Sequence, residues 1–312
     1  MDWILLGIPL GALMLYLGSE WMVRGAKGLA LRMGVSPVVI GVTVVALGTS
    51  LPECVTSIVS GDAPQIIIGN IVGSNIANVG LALGLTAVAG TVAVNYSSVR
   101  TESFAMLFAV GLVALMSLDG HMGFWDGAVL LVCLSVFILM SYRGRRGEKA
   151  DCGGGDPHAG VPVLIVLLAA GALFLYFGAE MFIDGAVCLA GILGVSEMVI
   201  GLVVVALGAC LPETCISVVA ALRGETELAA ANILGSITFN SFFALGVGAF
   251  LTDIPIPESM VMFHMPVMLL FSLTMFLILR FRDRISRATG VLLVVMYTSY
   301  LLMTGTVPGL TV

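Results

Sequence analysis

Long apolar stretches recur along almost the whole chain, and they constrain its fold more than any other feature of the sequence. A membrane-spanning helix needs roughly 20 mostly apolar residues, and we count ten stretches of about this length. Only 10% of the 312 residues are charged, against about 25% in a typical soluble protein. The sequence therefore predicts an all-α polytopic membrane protein with ten transmembrane helices. The predicted spans are 3–22, 37–60, 65–90, 101–118, 124–142, 161–182, 197–222, 227–251, 259–280 and 287–306.

The positions of the basic residues predict how the chain is oriented. All thirteen Lys and Arg residues fall in alternate connections of the ten-helix arrangement, whereas the other connections carry acidic residues and no Lys or Arg. Connections rich in Lys and Arg face the cytoplasm. We therefore expect a multi-pass protein of the cell membrane with both termini outside. The first apolar run has no basic flank and no cleavage pattern, so we expect it to remain as a helix.

The sequence also contains an internal repeat. The segment 34–53 matches 194–213 at an offset of 160 residues, and 70–78 matches 232–240 at an offset of 162. Five helices per half is an odd number, so the second half enters the membrane upside down. Inverted repeats of this kind place the substrate site of transporters near the midplane of the membrane. We predict a first five-helix repeat at 1–142, a cytoplasmic linker at 143–160 and a second five-helix repeat at 161–312.

Each repeat places a carboxylate next to a proline inside an apolar segment, since Glu53 follows Pro52 and Glu213 follows Pro212. Proline lacks an N–H, so the carbonyl four residues earlier loses its helical partner and becomes available to a cation. An ionised carboxylate at mid-membrane costs at least about 2.5 kcal/mol, so two of them need a compensating cation. Calcium takes oxygens of this kind. The alternative is a protonated, hydrogen-bonded pair in a packed interface, but the repetition beside proline favours a cation site.

These motifs resemble those of a known family. The segments 48–53 (Gly-Thr-Ser-Leu-Pro-Glu) and 69–78 resemble the first alpha-repeat of the sodium/calcium exchanger family, and 208–213 and 232–240 resemble the second. The resemblance covers essentially the full chain and implies a prokaryotic-type antiporter that exchanges sodium for calcium by alternating access. Helices 1 and 6 would slide past a core formed by helices 2, 3, 7 and 8. The resemblance implies transported calcium and sodium ions and no cofactor.

Individual ligands also follow from the resemblance. It implies that Glu53 and Glu213 bind calcium together with backbone carbonyls near Thr49 and Ala209. One sodium site would consist of Ala46, Thr49, Ser50 and Ser74, with Asn78 in a central position. The mirrored sodium site would consist of Ala206, Ala209, Cys210, Glu213 and Ser236.

Three positions depart from the family pattern. Ala209 and Cys210 stand where the family usually has Thr and Ser, so two hydroxyl ligands are missing and we do not carry over the usual three-to-one sodium to calcium ratio. Asn240 stands where many members have an acidic residue, and that residue is linked to potassium dependence in the family. We therefore do not expect transport by this protein to depend on potassium. As a ligand, the thiol of Cys210 is soft and favours zinc or cadmium over calcium. The alternative is that Cys210 is an inert small residue of the core.

Other functions remain as alternatives. Within transport these are proton-coupled calcium exchange and exchange of a divalent or transition-metal cation with altered sodium stoichiometry. A channel or an intramembrane enzyme is less consistent with the repeats, and we find no nucleophile with a base partner, so we expect no enzyme.

Some of the polar residues also have alternative roles. Ser74, Asn78, Ser236 and Asn240 could instead serve helix packing, and the matched Glu20 and Glu180 are interpreted as snorkelling or capping residues. We expect calcium and sodium ions and the lipid bilayer as partners, no nucleic acid, and a monomer.

Overall fold

The computed structural model describes residues 2–59, 64–144, 160–195, 208 and 210–307, and this part of the chain is almost entirely helical. One turn, Asp2–Leu5, precedes the first long helix. The helices are α1 (Gly7–Met33), α2 (Pro37–Ile40, continued by Ala46–Val59), α3 (Gln65–Ala89), α4 (Tyr96–Met116), α5 (Phe124–Gly144), α6 (Val161–Ile192), α7 (Leu211–Leu222), α8 (Thr226–Leu251), α9 (Met260–Phe281) and α10 (Arg287–Thr306). The strands are β1 (Val92–Ala93), β2 (His121–Met122), β3 (Ile254–Pro255) and β4 (Arg284–Ile285).

Seven of the described helices, α3 to α6 and α8 to α10, are long and apolar enough to cross a membrane. The chain is therefore a multi-pass membrane protein, as the apolar stretches predicted. Helices α2 and α7 are apolar but shorter within the described residues. Most of the predicted linker 143–160 and the first part of the predicted span 197–222 lie outside the described residues.

Two of the predicted spans, the first and the sixth, end too early. Helix α1 ends at Met33 rather than at residue 22, and α6 ends at Ile192 rather than at 182. The charged side chains of Arg24 and Lys27 had marked the end of the first apolar stretch, but both form ion pairs within the fold and so are accommodated in a helix. Helix α1 stops at Gly34, which has a φ of 62° that favours glycine.

Local sequence signals explain where other helices begin. The hydroxyl of Ser36 accepts a hydrogen bond from the N–H of Val38 (3.3 Å), and Pro37 occupies the first turn of α2. The side chain of Asn95 accepts a hydrogen bond from the N–H of Ser97 (3.1 Å), so α4 starts at Tyr96 and not at residue 101 as predicted. Both are N-terminal caps that satisfy otherwise unpaired helix donors.

The breaks expected at the two prolines differ between the halves. Helix α2 runs as a regular α-helix from Ala46 to Val59, so it is not broken at Pro52, and its irregular segment is the π-helical turn Gly41–Val45. Proline is tolerated inside buried membrane helices when neighbouring groups satisfy the freed backbone. In the second half, α7 begins at Leu211, so Pro212 lies in the first turn, where its missing N–H needs no partner.

Helices α1 and α6 cross by close contact between their glycines. A Cβ atom added to Gly11 would lie 2.6 Å from the carbonyl oxygen of Gly178, and one added to Gly18 would lie 2.8 Å from that of Gly171. Because the residue number rises along α1 as it falls along α6, the two helices run antiparallel. Only glycine lets two backbones approach this closely.

The four short strands link the halves of the chain. Strand β1 pairs antiparallel with β4, with Val92 opposite Ile285, and β2 pairs antiparallel with β3, with Met122 opposite Ile254. Each pair thus joins a strand from before the predicted linker to one from after it. Segments of two residues carry no periodic pattern, so the sequence did not predict them.

Candidate ion-binding site

The predicted site residues lie on four helices that pack together in the interior. Helix α2 carries Ala46, Thr49, Ser50 and Glu53, which are spaced three or four residues apart and so share one face. On the other three helices lie Ser74 and Asn78 (α3), Glu213 (α7), and Ser236 and Asn240 (α8), with Cys210 immediately before α7.

All ten of these described residues are buried. The exposed fraction of Glu53 is 6% and that of Glu213 is 1%, whereas Ser50, Cys210 and Asn240 are fully buried. The remaining two predicted ligands, Ala206 and Ala209, lie outside the described residues. A carboxylate in such surroundings is costly unless another group or an ion compensates its charge.

Direct contacts join the two halves at this site. The hydroxyl of Thr49 donates a hydrogen bond to the carbonyl oxygen of Ala46 (3.1 Å) and lies 3.2 Å from the hydroxyl of Ser236. The backbones of α2 and α8 are also very close, since a Cβ added to Gly235 would lie 2.6 Å from the Cβ of Ala46 and 2.6 Å from the Cα of Val42. Residues of the predicted sodium site on α2 therefore contact a residue of the mirrored site.

The two carboxylates lie close enough to interact electrostatically. Glu213 interacts with Glu53 and with Thr49, and both carboxylates interact with Cys210. The four helices contain no Lys, Arg or His in their sequences. No basic side chain of α2, α3, α7 or α8 is therefore available to neutralise the pair.

Several buried oxygens at the site accept or donate no hydrogen bond within the described part of the chain. They are the hydroxyls of Ser50 and Ser74 and the amide oxygens of Asn78 and Asn240. Buried polar atoms in folded proteins are almost always hydrogen-bonded, so a group of exceptions on adjacent helices indicates a place for a ligand. Carboxylate, amide and hydroxyl oxygens are the ligands of hard cations such as calcium and sodium.

The matched asparagines begin matched irregular turns. Asn78 is the first residue of the π-helical turn Asn78–Leu83 in α3, and Asn240 is the first residue of Asn240–Ala244 in α8. Turns of this type widen the helix locally, leave backbone groups without their regular partners, and are frequent at functional sites. The structure thus has irregular backbone at Asn78 and Asn240, whereas the sequence predicted irregular backbone only next to Pro52 and Pro212.

Sequence reasoning missed the residues that contact and position the predicted site residues. The amide of Asn232 donates hydrogen bonds to the carbonyl oxygen of Glu213 (3.3 Å) and to the hydroxyl of Ser217 (3.0 Å). The amide of Asn75 donates to the hydroxyl of Ser241 (3.0 Å) and so joins α3 to α8. The match of Asn232 with Asn70 in the repeat was a signal that Asn232 is important. No comparable signal in the sequence pointed to the contact between Asn75 and Ser241.

The predicted site residues offer mainly oxygen ligands rather than a cluster of strong metal ligands. The described residues contain no group of three or more His, Cys, Asp or Glu side chains arranged to hold a metal ion. Two carboxylates surrounded by neutral oxygens suit an ion that must be released again, because fewer charged ligands bind it less tightly.

Comparison with known proteins gives a consistent result. Residues 3–143 and 163–305 match the family model described as sodium/calcium exchanger protein. The chain is 34% identical to the membrane protein MJ0091 of Methanocaldococcus jannaschii over 92% of this chain and 93% of that protein. It is 30% identical to the sodium/calcium exchanger MaX1 of Methanosarcina acetivorans over 94% and 96% of the two chains. The solved structure of the sodium-calcium exchanger NCX_Mj matches with a TM-score of 0.83 and 33% identity, over 97% of this chain and 99% of that one.

Proposed function

The chain belongs to the sodium/calcium exchanger family, and from this we propose that it is a secondary active antiporter that exchanges sodium for calcium across the cell membrane. Proteins of this family are exchangers rather than enzymes, and they carry sodium and calcium without a cofactor. The observation that carries the proposal is the buried pair Glu53 and Glu213 on helices without a basic residue.

Charge explains why one site serves both ions. Two ionised carboxylates are neutralised by one calcium ion or by two sodium ions. The site inside the membrane is therefore electrically neutral with either set of ions bound. A site that is empty of cations leaves two buried negative charges uncompensated, which is unfavourable. The protein therefore crosses between its two open states with ions bound, and this requirement couples the two fluxes.

The ligand sets follow the predicted assignment. Calcium binds Glu53, Glu213 and nearby carbonyls, and sodium uses Ala46, Thr49, Ser50 and Ser74 with Asn78 in a central position. The mirrored sodium site takes Ala206, Ala209, Cys210, Glu213 and Ser236. The buried hydroxyl and amide oxygens that lack hydrogen-bond partners support these assignments.

We also infer that the halves, 1–142 and 161–312, form inverted five-helix repeats around this site. The antiparallel packing of α1 on α6 supports this, because these two helices match each other in the sequence. The strand pairs support it as well, since β1 and β2 occupy positions equivalent to β3 and β4 and each pair contains one strand of each half. With this arrangement, the alternation of basic residues predicts that both termini lie outside.

We infer alternating access, and the contact between α1 and α6 supports it. Glycines at the crossing points bring the two backbones together, so that the two helices slide as a pair along the four-helix core and expose the site to one side at a time. Helices that slide past one another in this way are a common form of conformational change.

A second candidate, exchange of a soft divalent metal, is favoured by one observation. The thiol of Cys210 is buried beside both carboxylates, and thiol ligands favour zinc and cadmium over calcium. Proton-coupled calcium exchange is the other alternative, in which Glu53 and Glu213 would carry protons in place of sodium.

The test is calcium-45 uptake into proteoliposomes that contain the purified protein. We expect uptake when an outward sodium gradient is imposed and no uptake with a pH gradient or without a gradient. Uptake driven only by the pH gradient would replace sodium coupling by proton coupling, and uptake of zinc or cadmium in place of calcium would favour the second candidate.

Variants tie the flux to the site. We expect Glu53→Gln and Glu213→Gln each to abolish uptake, because each removes half of the negative charge that binds calcium. Glu258→Gln is the matched control, since Glu258 is exposed outside the helical core, and it should transport like the unchanged protein. Normal uptake in both site variants would refute the proposed site.

A further inference from the structure

The equivalent ends of α1 and α6 differ in burial. Residues 25–30 of α1 are all buried, whereas of the matched residues 185–190 in α6 only Gly185 is buried. Glu20 is likewise buried, and its equivalent Glu180 is exposed. The difference therefore lies between positions that the repeat matches in the sequence.

The neighbouring core helices show the same difference. The second half of α1 packs on α7, and Ala26, Ile216, Ala220 and Leu228 belong to one buried apolar cluster that also reaches the start of α8. Near α6, by contrast, Leu51 and Val55 of α2 are 46% and 54% exposed. Their equivalents in α7, Leu211 and Cys215, are half-buried. The described residues therefore pack more tightly beside α1 than beside α6, and we call these two sides of the site the closed and the open entrance.

A network of ion pairs lies at the closed entrance. The carboxylate of Glu20 accepts contacts from Arg24 Nε (2.5 Å) and from Arg223 Nη2 (2.6 Å). The ammonium group of Lys27 lies 2.6 Å from Glu225 Oε1. The side chains of Lys27 and Glu225 are only 10% and 22% exposed, and an ion pair shielded from water interacts much more strongly than an exposed one. Glu20 is buried, but its partners Arg24 and Arg223 are 63% and 44% exposed. Two of these contacts join α1 to the short connection between α7 and α8.

That connection is itself fixed in place. Gly224, with a φ of 81°, reverses the chain after α7, so that Arg223 and Glu225 flank the turn. The next residue, Thr226, donates a hydrogen bond to the carbonyl oxygen of Ala93 in β1. The ion pairs therefore attach the sliding helix α1 to the part of the protein that contains the β1–β4 pair.

The opposite entrance lacks the cations that such a network needs. At the positions equivalent to Arg24 and Lys27, α6 has Asp184 and Val187. Helix α6 carries Glu180 and Asp184 and no Lys or Arg along its described length. In the sequence, the connection 60–64 also contains no Lys or Arg, and most of it lies outside the described residues. Such an entrance attracts cations but cannot form the same ion pairs.

We propose that the ion pairs of Glu20, Arg24, Lys27, Arg223 and Glu225 form an ionic latch that closes the entrance beside α1 and so favours the state open beside α6. This inference rests on the proposed alternating access. The basic residues of the latch belong to the connections that the predicted orientation places at the cytoplasm, so the favoured state accepts ions from outside. The latch must open in every transport cycle, when α1 slides.

Hydrogen exchange of backbone amides, measured by mass spectrometry on the full protein in lipid nanodiscs, tests the latch without any transport assay. In Glu225→Gln and Lys27→Met we expect amides of segments 20–33 and 211–225 to exchange roughly tenfold faster, a typical size for coupling of this kind. Segments 181–192 and 51–59 should exchange more slowly, because opening one entrance closes the other. Simple fraying of α1 would not produce this opposite change.

Two further variants complete the test. The double charge exchange Lys27→Glu with Glu225→Lys should restore the original exchange rates, because it rebuilds the pair. Glu180→Gln, the repeat equivalent of a latch residue, should leave the rates unchanged. Unaltered rates in Glu225→Gln and Lys27→Met, no slowing at α6, or no restoration by the double variant would overturn the latch. Absence of sodium-driven uptake in the unchanged protein would instead contradict the proposed function.

Discussion

Cys210 is the residue that most clearly separates this site from an all-oxygen one. Its side chain is fully buried, the hydroxyl of Thr214 lies 3.8 Å from its sulfur, and both carboxylates are near enough to interact with it. A thiol at this position binds soft cations better than calcium or sodium. The ion selectivity of the protein therefore depends on whether this sulfur contacts the bound ion.

Replacement by serine tests this contact. We expect Cys210→Ser to weaken the competition of cadmium with calcium uptake by on the order of tenfold, because a hydroxyl is a hard ligand. It should also lower the sodium concentration that gives half-maximal calcium uptake, since it supplies a ligand that the mirrored sodium site lacks. Both are measured as calcium-45 flux in proteoliposomes.

Cys133→Ser is the matched control, because Cys133 is a half-buried thiol on α5. It should leave cadmium competition unchanged. Equal cadmium competition in Cys210→Ser and in the unchanged protein would show that the sulfur does not contact the ion.

Sequence reasoning identified the residues at the centre of the site better than those around it. Glu53 and Glu213 were recognisable because a repeated carboxylate in an apolar segment has few structural explanations, and both are buried as this requires; their role as ligands stays a prediction. Asn75 and Ser241 were not identified, because their partnership depends on how α3 and α8 meet in space. The sequence of either helix alone carries no sign of it.

At the scale of the helices, Gly235 sets the distance between α2 and α8. A Cβ at this position would lie 2.6 Å from atoms of both Val42 and Ala46, which is closer than real Cβ contacts. The next residue, Ser236, places its hydroxyl 3.2 Å from that of Thr49. The glycine therefore determines whether residues of the two predicted sodium sites can meet.

We expect Gly235→Ala to destabilise the protein by about 1–3 kcal/mol, the usual range for overpacking a tight interior, and to abolish or strongly reduce calcium uptake. Thermal unfolding in detergent and flux in proteoliposomes measure the two effects. Gly111→Ala is the control, since within the described structure nothing lies within 4 Å of an added Cβ there. Its stability should be unchanged or slightly higher, because alanine favours the helix; a similar loss in both variants would contradict the steric explanation.

Helix type was predictable, whereas helix irregularities and some ends were not. Apolar stretches such as 65–90 and 287–306 gave α3 and α10 within one residue. The same reasoning ended α1 too early, because a window of sequence cannot know that Glu225, far along the chain, neutralises Lys27. The π-helical turns that begin at Asn78 and Asn240 also escaped prediction, although the repeat matches these two asparagines.

At the scale of the whole molecule, the predicted orientation has a direct test. We expect a single cysteine at position 121 (His121→Cys) to react with a membrane-impermeant thiol reagent in intact cells, in a background without the six natural cysteines. A cysteine at 97 (Ser97→Cys) should react only after the cells are permeabilised. Both positions are exposed, and they lie at opposite ends of α4, so each is the control for the other. The reverse pattern would place the termini inside.

The pairing of the strands has a consequence for how the protein is made. Strands β1 and β2 find their partners β4 and β3 only after the linker, so the first half of the chain is synthesised with the backbone groups of both strands unpaired. Contacts between residues as distant as Val92 and Ile285 close late, because closing a long loop costs more entropy than closing a short one. A nascent chain that stalls after the linker would therefore expose two uncovered edges, one at each surface of the membrane. The two strand pairs are therefore complete only when the second half of the chain has been synthesised.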